Sequence, residues 1–102
     1  MSEKTKTAPR QETFTRRIPP YHVILENDDY HSMTFVVSVL CKALGHSVER
    51  AYQLMLQAHQ TGRAIVWTGP KEVAELKAEQ IGTFREDPYG PLGCTIEPAC
   101  GG

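Results

Sequence analysis

Several kinds of protein are excluded by what this 102-residue chain lacks. No apolar run approaches the roughly 20 residues that a membrane-spanning helix needs. The N-terminal MSEKTKTAPRQETFTRR is polar throughout and has no apolar core of the kind a secretion signal requires, so a cytoplasmic location is expected. The three cysteines, Cys41, Cys94 and Cys100, are odd in number and form no C-x-x-C pair, which argues against a disulfide framework and against a zinc site. The four histidines, His22, His31, His46 and His59, show no paired-ligand spacing, and no metal is expected. No glycine-rich G-x-G-x-x-G loop is present, so no nucleotide cofactor is expected. A net charge of -1 gives no general attraction to nucleic acid or to an anionic membrane. With 40% hydrophobic and 23% charged residues, what remains is one small globular domain, and nothing in it demands more than a monomer.

Residues 1–20 are rich in Thr, Arg and Lys and end in Pro19-Pro20, which predicts a flexible N-terminal extension with a stiff junction. The folded core is expected over 21–99, with a short tail at 100–102. Tyr21-His-Val-Ile-Leu25 is β-rich and is closed by the Asn27-Asp28-Asp29 turn, so it reads as a strand. Phe35, Val36, Val39, Leu40, Ala43 and Leu44 recur at helical spacing from about Ser32, and Gly45 supplies the stop. Ser47 caps a second helix with an apolar face of Val48, Ala51, Tyr52, Leu54, Met55 and Ala58, ended by Thr61-Gly62. Cys41 falls in the first helix as a small core hydrophobe. Arg63 to Thr68 reads as a second strand, and its Trp67 as core or sheet surface. A third helix opens near Pro70 and carries Val73, Leu76, Lys77, Ile81 and Phe84 as its spaced positions. Asp87-Pro-Tyr-Gly-Pro91 is a turn and Leu92 to Glu97 the last strand. The order βααβαβ predicts an α+β fold, a small three-stranded antiparallel sheet packed against three helices.

The chemistry concentrates in Glu26-Asn-Asp-Asp-Tyr-His-Ser-Met-Thr-Phe35. Were the first two helices an antiparallel hairpin, His59 would return to the start of the first helix. Met33, Val36, Met55 and Ala58 would then surround a hollow rimmed by Asn27, Asp28, Asp29 and His59, an apolar pocket with a few convergent polar groups. Asn offers a carbonyl acceptor, ionised Asp only acceptors, and neutral His one acceptor nitrogen. Such a rim suits a cation beside a hydrophobic group, as in the free α-amino end of a peptide. The plainer alternative is that the acids form a turn and cap the helix while His59 is a helix-end cation. Acid–base catalysis is a third possibility, against which stands the lack of a nucleophile placed with these groups.

Five blocks of the chain together resemble the ClpS adaptors of bacterial and plastid Clp proteases, which recognise N-degrons. They are Leu25-Glu-Asn-Asp-Asp-Tyr30, Met33 before Phe35-Val36, Met55-Leu-Gln-Ala-His59 leading to Gly62-Arg63, Glu72-Val-Ala-Glu-Leu-Lys77 and Pro91-Leu-Gly-Cys-Thr95. The resemblance implies an adaptor, not an enzyme, whose α-amino clamp maps to Asn27, Asp28, Asp29 and His59. It implies a pocket for a bulky first residue (Leu, Phe, Tyr or Trp) with walls that include His31, Met33, Val36, Met55, Ala58 and Leu92, Met33 being the gate against β-branched side chains. It also implies partners: N-degron peptides and proteins, and an AAA+ unfoldase of the ClpA or ClpC type that docks at Glu72 and Lys77 and engages the N-terminal extension. A protein-interaction module of similar fold without first-residue recognition is the alternative. The chain departs from the family pattern at His31 and Ser32, where Thr-Pro is common, at Ala58, where Val is usual, and at Gly93, where a second Leu is usual. The expectation is a solvated loop histidine at His31, and at Ala58 a pocket that selects less strictly.

Overall fold

A computed structural model of the chain describes residues 18–99. The expected extension lies, through residue 17, outside the described residues, as does the tail at 100–102 with Cys100. The elements run β1 (Tyr21–Glu26), α1 (Met33–Leu44), α2 (Val48–Thr61), β2 (Arg63–Gly69), α3 (Lys71–Gly82) and β3 (Cys94–Pro98). The order is βααβαβ and the sheet is antiparallel in the order β2-β1-β3, as expected.

β1 is the middle strand, paired on both sides, and Val23, Ile24 and Leu25 are buried in succession, with the register to β2 shifting between Val23 and Ile24. Helical spacing puts Val36, Val39, Leu40, Ala43 and Leu44 of α1 on one buried face, and Ala51, Leu54, Met55 and Ala58 of α2 on another. Ser32 and Ser47 cap these helices, their hydroxyls accepting the amides of Phe35 and Arg50, both at 3.1 Å. Each helix closes on a glycine in the left-handed region, Gly45 at φ 78° and Gly62 at φ 99°. The link between them is tied down by His46, whose Nε2 donates to the carbonyl of Val66 at 2.6 Å.

The last strand begins later than its residue pattern suggests. Pairing with β1 ends at Leu25↔Cys94, so Leu92 precedes the strand, and its buried side chain belongs to a cavity wall. Cys94 is half-buried beside Glu26, and burial together with that carboxylate pushes its thiol up to about 11, leaving it protonated at neutral pH. Cys41 and Trp67 are half-buried against the core.

α3 corrects the reading of its apolar face. Val73 and Leu76 are exposed, and the residues buried under this helix are Ala74 and Ile81, with Ala78 half-buried. Ala74, Ala78 and Ile81 follow the four-then-three helical step, and small side chains let the helix lie close to the strands. The larger apolar residues drew the expectation to the wrong side. Ala74→Leu should therefore destabilise the fold by about 1–3 kcal/mol through overpacking. Leu76→Ala should cost less than about 0.5 kcal/mol. Urea unfolding of both variants checks the assignment, and the reverse ranking would contradict it.

Candidate functional site

Two backbone hydrogen bonds place the turn after β1. The amide of Glu26 donates to Gly93 O at 3.0 Å, and the amide of Asn27 donates to Gly62 O at 3.1 Å. The turn is thereby held between the lead-in to β3 and the C-terminal end of α2, directly opposite the start of α1.

A cavity of about 240 Å³ opens where these segments meet. Its apolar lining comes from Val36 and Met33 of α1, Met55 and Ala58 of α2, and Leu92. Its polar lining comes from Asn27, Asp28, Asp29, His31 and His59. All ten pocket and clamp positions expected from the sequence are thus brought together. Leu25, Glu26 and Leu56 also line it and were not anticipated. Glu26 adjoins the acidic turn and could have been read from that neighbourhood; Leu56 lies outside the apolar face read for α2. Met33 is half-exposed at the mouth while Met55, Ala58 and Leu92 are buried, so the walls deepen away from the rim.

The polar groups differ in how free they are. Oδ1 of Asp28 accepts the amides of Tyr30 at 2.9 Å and His31 at 2.8 Å, and Oδ2 accepts Nδ1 of His31 at 2.9 Å. Burial alone would raise the pKa of Asp28, but the two amides and the imidazole outweigh it and hold the carboxyl below its ordinary value. Asn27, Asp29 and His59 are exposed at the rim.

His31 is not the solvated loop histidine expected. Its side chain is only 5% exposed, its ring stacks on Phe35 with centroids 5.3 Å apart, and its Nε2 donates to Gly90 O at 2.7 Å. The reason is the 86–90 turn, in which Glu86 pairs with Gly90 and closes over the ring. Desolvation opposes the charged imidazole, yet the Gly90 carbonyl, Asp28 and Glu86 raise its pKa above the ordinary value. Ser32 reaches the same turn: its amide and hydroxyl donate to the two carboxylate oxygens of Glu86 at 2.8 and 2.7 Å. Those bonds hold Glu86 below the usual carboxylate range. Glu86 was not legible in the sequence, since 54 residues separate it from Ser32.

Glu72 and Lys77 lie apart from this cavity on α3. Glu72 lines a shallow hollow with Glu75, Leu76, Ala78 and Glu79, and Nζ of Lys77 sits 6.0 Å from the ring centre of Trp67. Among the described residues no group of three or more His, Cys, Asp or Glu could hold a metal ion, and no helix is long and apolar enough to cross a membrane.

The fold and this cavity define a small α+β domain in which hydrogen-bond acceptors are set over apolar walls. The family model described as ATP-dependent Clp protease adaptor protein ClpS matches residues 16–95. The chain is 42% identical over 99 residues to the ATP-dependent Clp protease adapter protein ClpS of Vibrio cholerae serotype O1, covering 95% of this chain and 86% of that one. It is 48% identical over 83 residues to the ClpS of Salmonella arizonae, covering 79% and 78%. It also superimposes on a solved structure of Agrobacterium tumefaciens ClpS2 bound to L-phenylalaninamide, with TM-score 0.73, 34% identity, and coverage of 78% of this chain and 96% of that one. The chain belongs to the ClpS family, a family of Clp protease adaptors and not of enzymes.

The shifted groups give the fold a pH signature. Asp28 and Glu86 are held below their ordinary values, so their stabilisation is present above about pH 4.5 and is lost as pH falls through the lowered values. His31 is raised, so its contribution is complete below about pH 6.5 and is lost as pH rises through the raised value. Stability from this cluster should be greatest between those limits. Asp28→Asn should melt about 5 °C below the parent near pH 5.5. The gap should close toward pH 3, and a gap independent of pH would contradict the assignment.

Proposed function

We propose that this chain is an N-degron adaptor that binds the free α-amino group and bulky hydrophobic first residue of substrates, Leu, Phe, Tyr or Trp, and delivers them to an AAA+ Clp unfoldase in the cytoplasm. The observation that carries the reading is a cavity in which an acceptor-rich rim stands over apolar walls. An α-ammonium group has three N–H donors and a positive charge, and its side chain leaves from the same carbon. Asn27, Asp29 and His59 are the exposed rim groups that would accept from it, with Asp28 supplying charge and holding the turn in shape. Met33, Val36, Met55, Ala58 and Leu92 would receive the side chain. L-phenylalaninamide, the ligand of the Agrobacterium tumefaciens relative, has both features: a free α-amino group and a large apolar side chain.

The magnitudes fit a carrier that must release its cargo. Burying one large apolar side chain contributes about 1.5–3 kcal/mol. Each charge-assisted hydrogen bond contributes about 1.5–3 kcal/mol. With three such bonds the favourable contributions reach about 12 kcal/mol at their upper end, and an association cost of about 4 kcal/mol leaves about 8 kcal/mol, a dissociation constant on the order of micromolar for a well-fitted ligand.

For delivery, α3 is the surface proposed to dock on the unfoldase, through Glu72 and Lys77. The exposed Val73 and Leu76 on the same helix add apolar area to that contact. The N-terminal extension, residues 1–20, would engage the unfoldase during handover.

Fluorescence anisotropy with peptides identical except at the first residue tests the recognition. Leu and Phe peptides should bind on the order of micromolar. Ala should bind at least about tenfold more weakly. N-acetylated Leu should lose more than any single wall substitution does, because it removes the cation and its donors together. An acetylated peptide that binds as well as the free one would overturn the clamp. In the same assay Ala58→Val should sharpen selection against large or β-branched first residues, and an unchanged preference series would remove Ala58 as a determinant.

A further inference from the structure

Both ring nitrogens of His31 face groups that can only accept. Nδ1 lies 2.9 Å from Oδ2 of Asp28, and Nε2 lies 2.7 Å from the carbonyl oxygen of Gly90. A neutral imidazole carries one N–H and satisfies only one of them, whereas an imidazolium carries two and satisfies both. The side chain is too buried for water to supply the difference.

We propose that His31 acts as a positioning residue for first-residue recognition: as a doubly protonated clip it fastens the turn of Asn27–Asp29 to the 86–92 segment, and ligand affinity falls when the clip loses a proton. The proposal rests on the function inferred above and adds a residue on which the shape of its site depends.

The geometry supports each step. Asp28 lies in the turn that carries Asn27 and Asp29, and Gly90 lies two residues before the cavity wall at Leu92. The clip therefore spans from the rim to the wall. Ser32 and Glu86 make a second, parallel fastening that reaches Gly90 as well, since Glu86 and Gly90 exchange two backbone hydrogen bonds, both at 3.1 Å; His31 is the direct tie between the Asp28 turn and Gly90 O. The groups facing the ring are Asp28 from the first turn, Glu86 and the edge of Tyr89 from the second, and Phe35 from α1. Two of these are carboxylates, both favouring the imidazolium. When the ring loses one proton, the ionised carboxylate of Asp28 holds the remaining N–H more strongly than a neutral carbonyl does. Nε2 then presents a lone pair to Gly90 O, and the contact becomes repulsive. The Leu92 wall loses its direct tie to Asp28 and is held to the rim only through Ser32–Glu86 and the Glu26 amide on Gly93 O, which loosens the site without opening it.

The ligand's own α-amino group also titrates near neutral pH, so the test uses a ratio in which that titration cancels. Dissociation constants for one Phe-initiated peptide are measured with the full chain and with His31→Gln from pH 6 to pH 8.5. The variant should bind about tenfold more weakly at pH 6 and within about twofold of the parent at pH 8.5. A ratio that does not change with pH would overturn the proposal. Should the variant fail to fold, nitrogen NMR of the parent's histidine rings still decides the matter. Both nitrogens of His31 protonated at pH 6 and one deprotonated at pH 8.5 are expected, and a neutral ring at pH 6 overturns the clip. A parent that binds no Phe-initiated peptide at any pH refutes the function proposed above, and is distinguished by the NMR result, which needs no ligand.

Discussion

The carboxylate of Asp28 gathers two backbone amides and an imidazole, and the mouth of the cavity hangs on that cluster. Short polar side chains that hydrogen-bond their own backbone build turns of this sort. Here the turn also ends the central strand, so its position is inherited from the most deeply buried part of the sheet. Once Asp28 is committed to the turn, Asn27 and Asp29 on either side of it are left exposed at the rim. Through His31 the same carboxylate reaches Gly90, and so connects a local turn to a segment distant in sequence.

Rim and wall come from different physics. The wall follows from helix periodicity and the hairpin of α1 and α2, which face Val36 and Met55 toward a common space. Its stability is that of the core, because Met55, Ala58 and Leu92 are buried residues that continue outward from it. The rim is electrostatic and lies in loops except for His59, in the last turn of α2. It depends on a few hydrogen bonds, including those of Asn27 to Gly62 and Glu26 to Gly93. This division leaves the wall built by α1 and α2 free of titrating groups, while the mouth and, through His31, the segment carrying Leu92 are governed by them.

How much was legible beforehand follows the same division. Helix starts at Ser32 and Ser47 and stops at Gly45 and Gly62 could be read locally, since each cap is made within a few residues. The placement of Met33, Val36, Met55 and Ala58 about one cavity followed from spacing plus a tight link between two helices. What failed was set by distant contacts. His31 is read as solvated until Gly90, 59 residues away, covers it. Val73 and Leu76 looked like part of one buried face with Ile81, but Ala74 is the residue that joins Ile81 on the side toward the sheet. Composition ranks residues by hydrophobicity, whereas a helix laid close to strands selects for small size as well.

The central claim is that a free peptide N-terminus enters this one cavity, rim and wall together. Amide chemical-shift mapping during titration with a Phe-initiated peptide tests it most directly. The account predicts that the largest changes fall on Asn27, Asp29, Val36, Met55, His59 and Leu92, with α3 undisturbed. Changes centred on α3 or on the outer edge of β3, with the cavity residues unmoved, would contradict it.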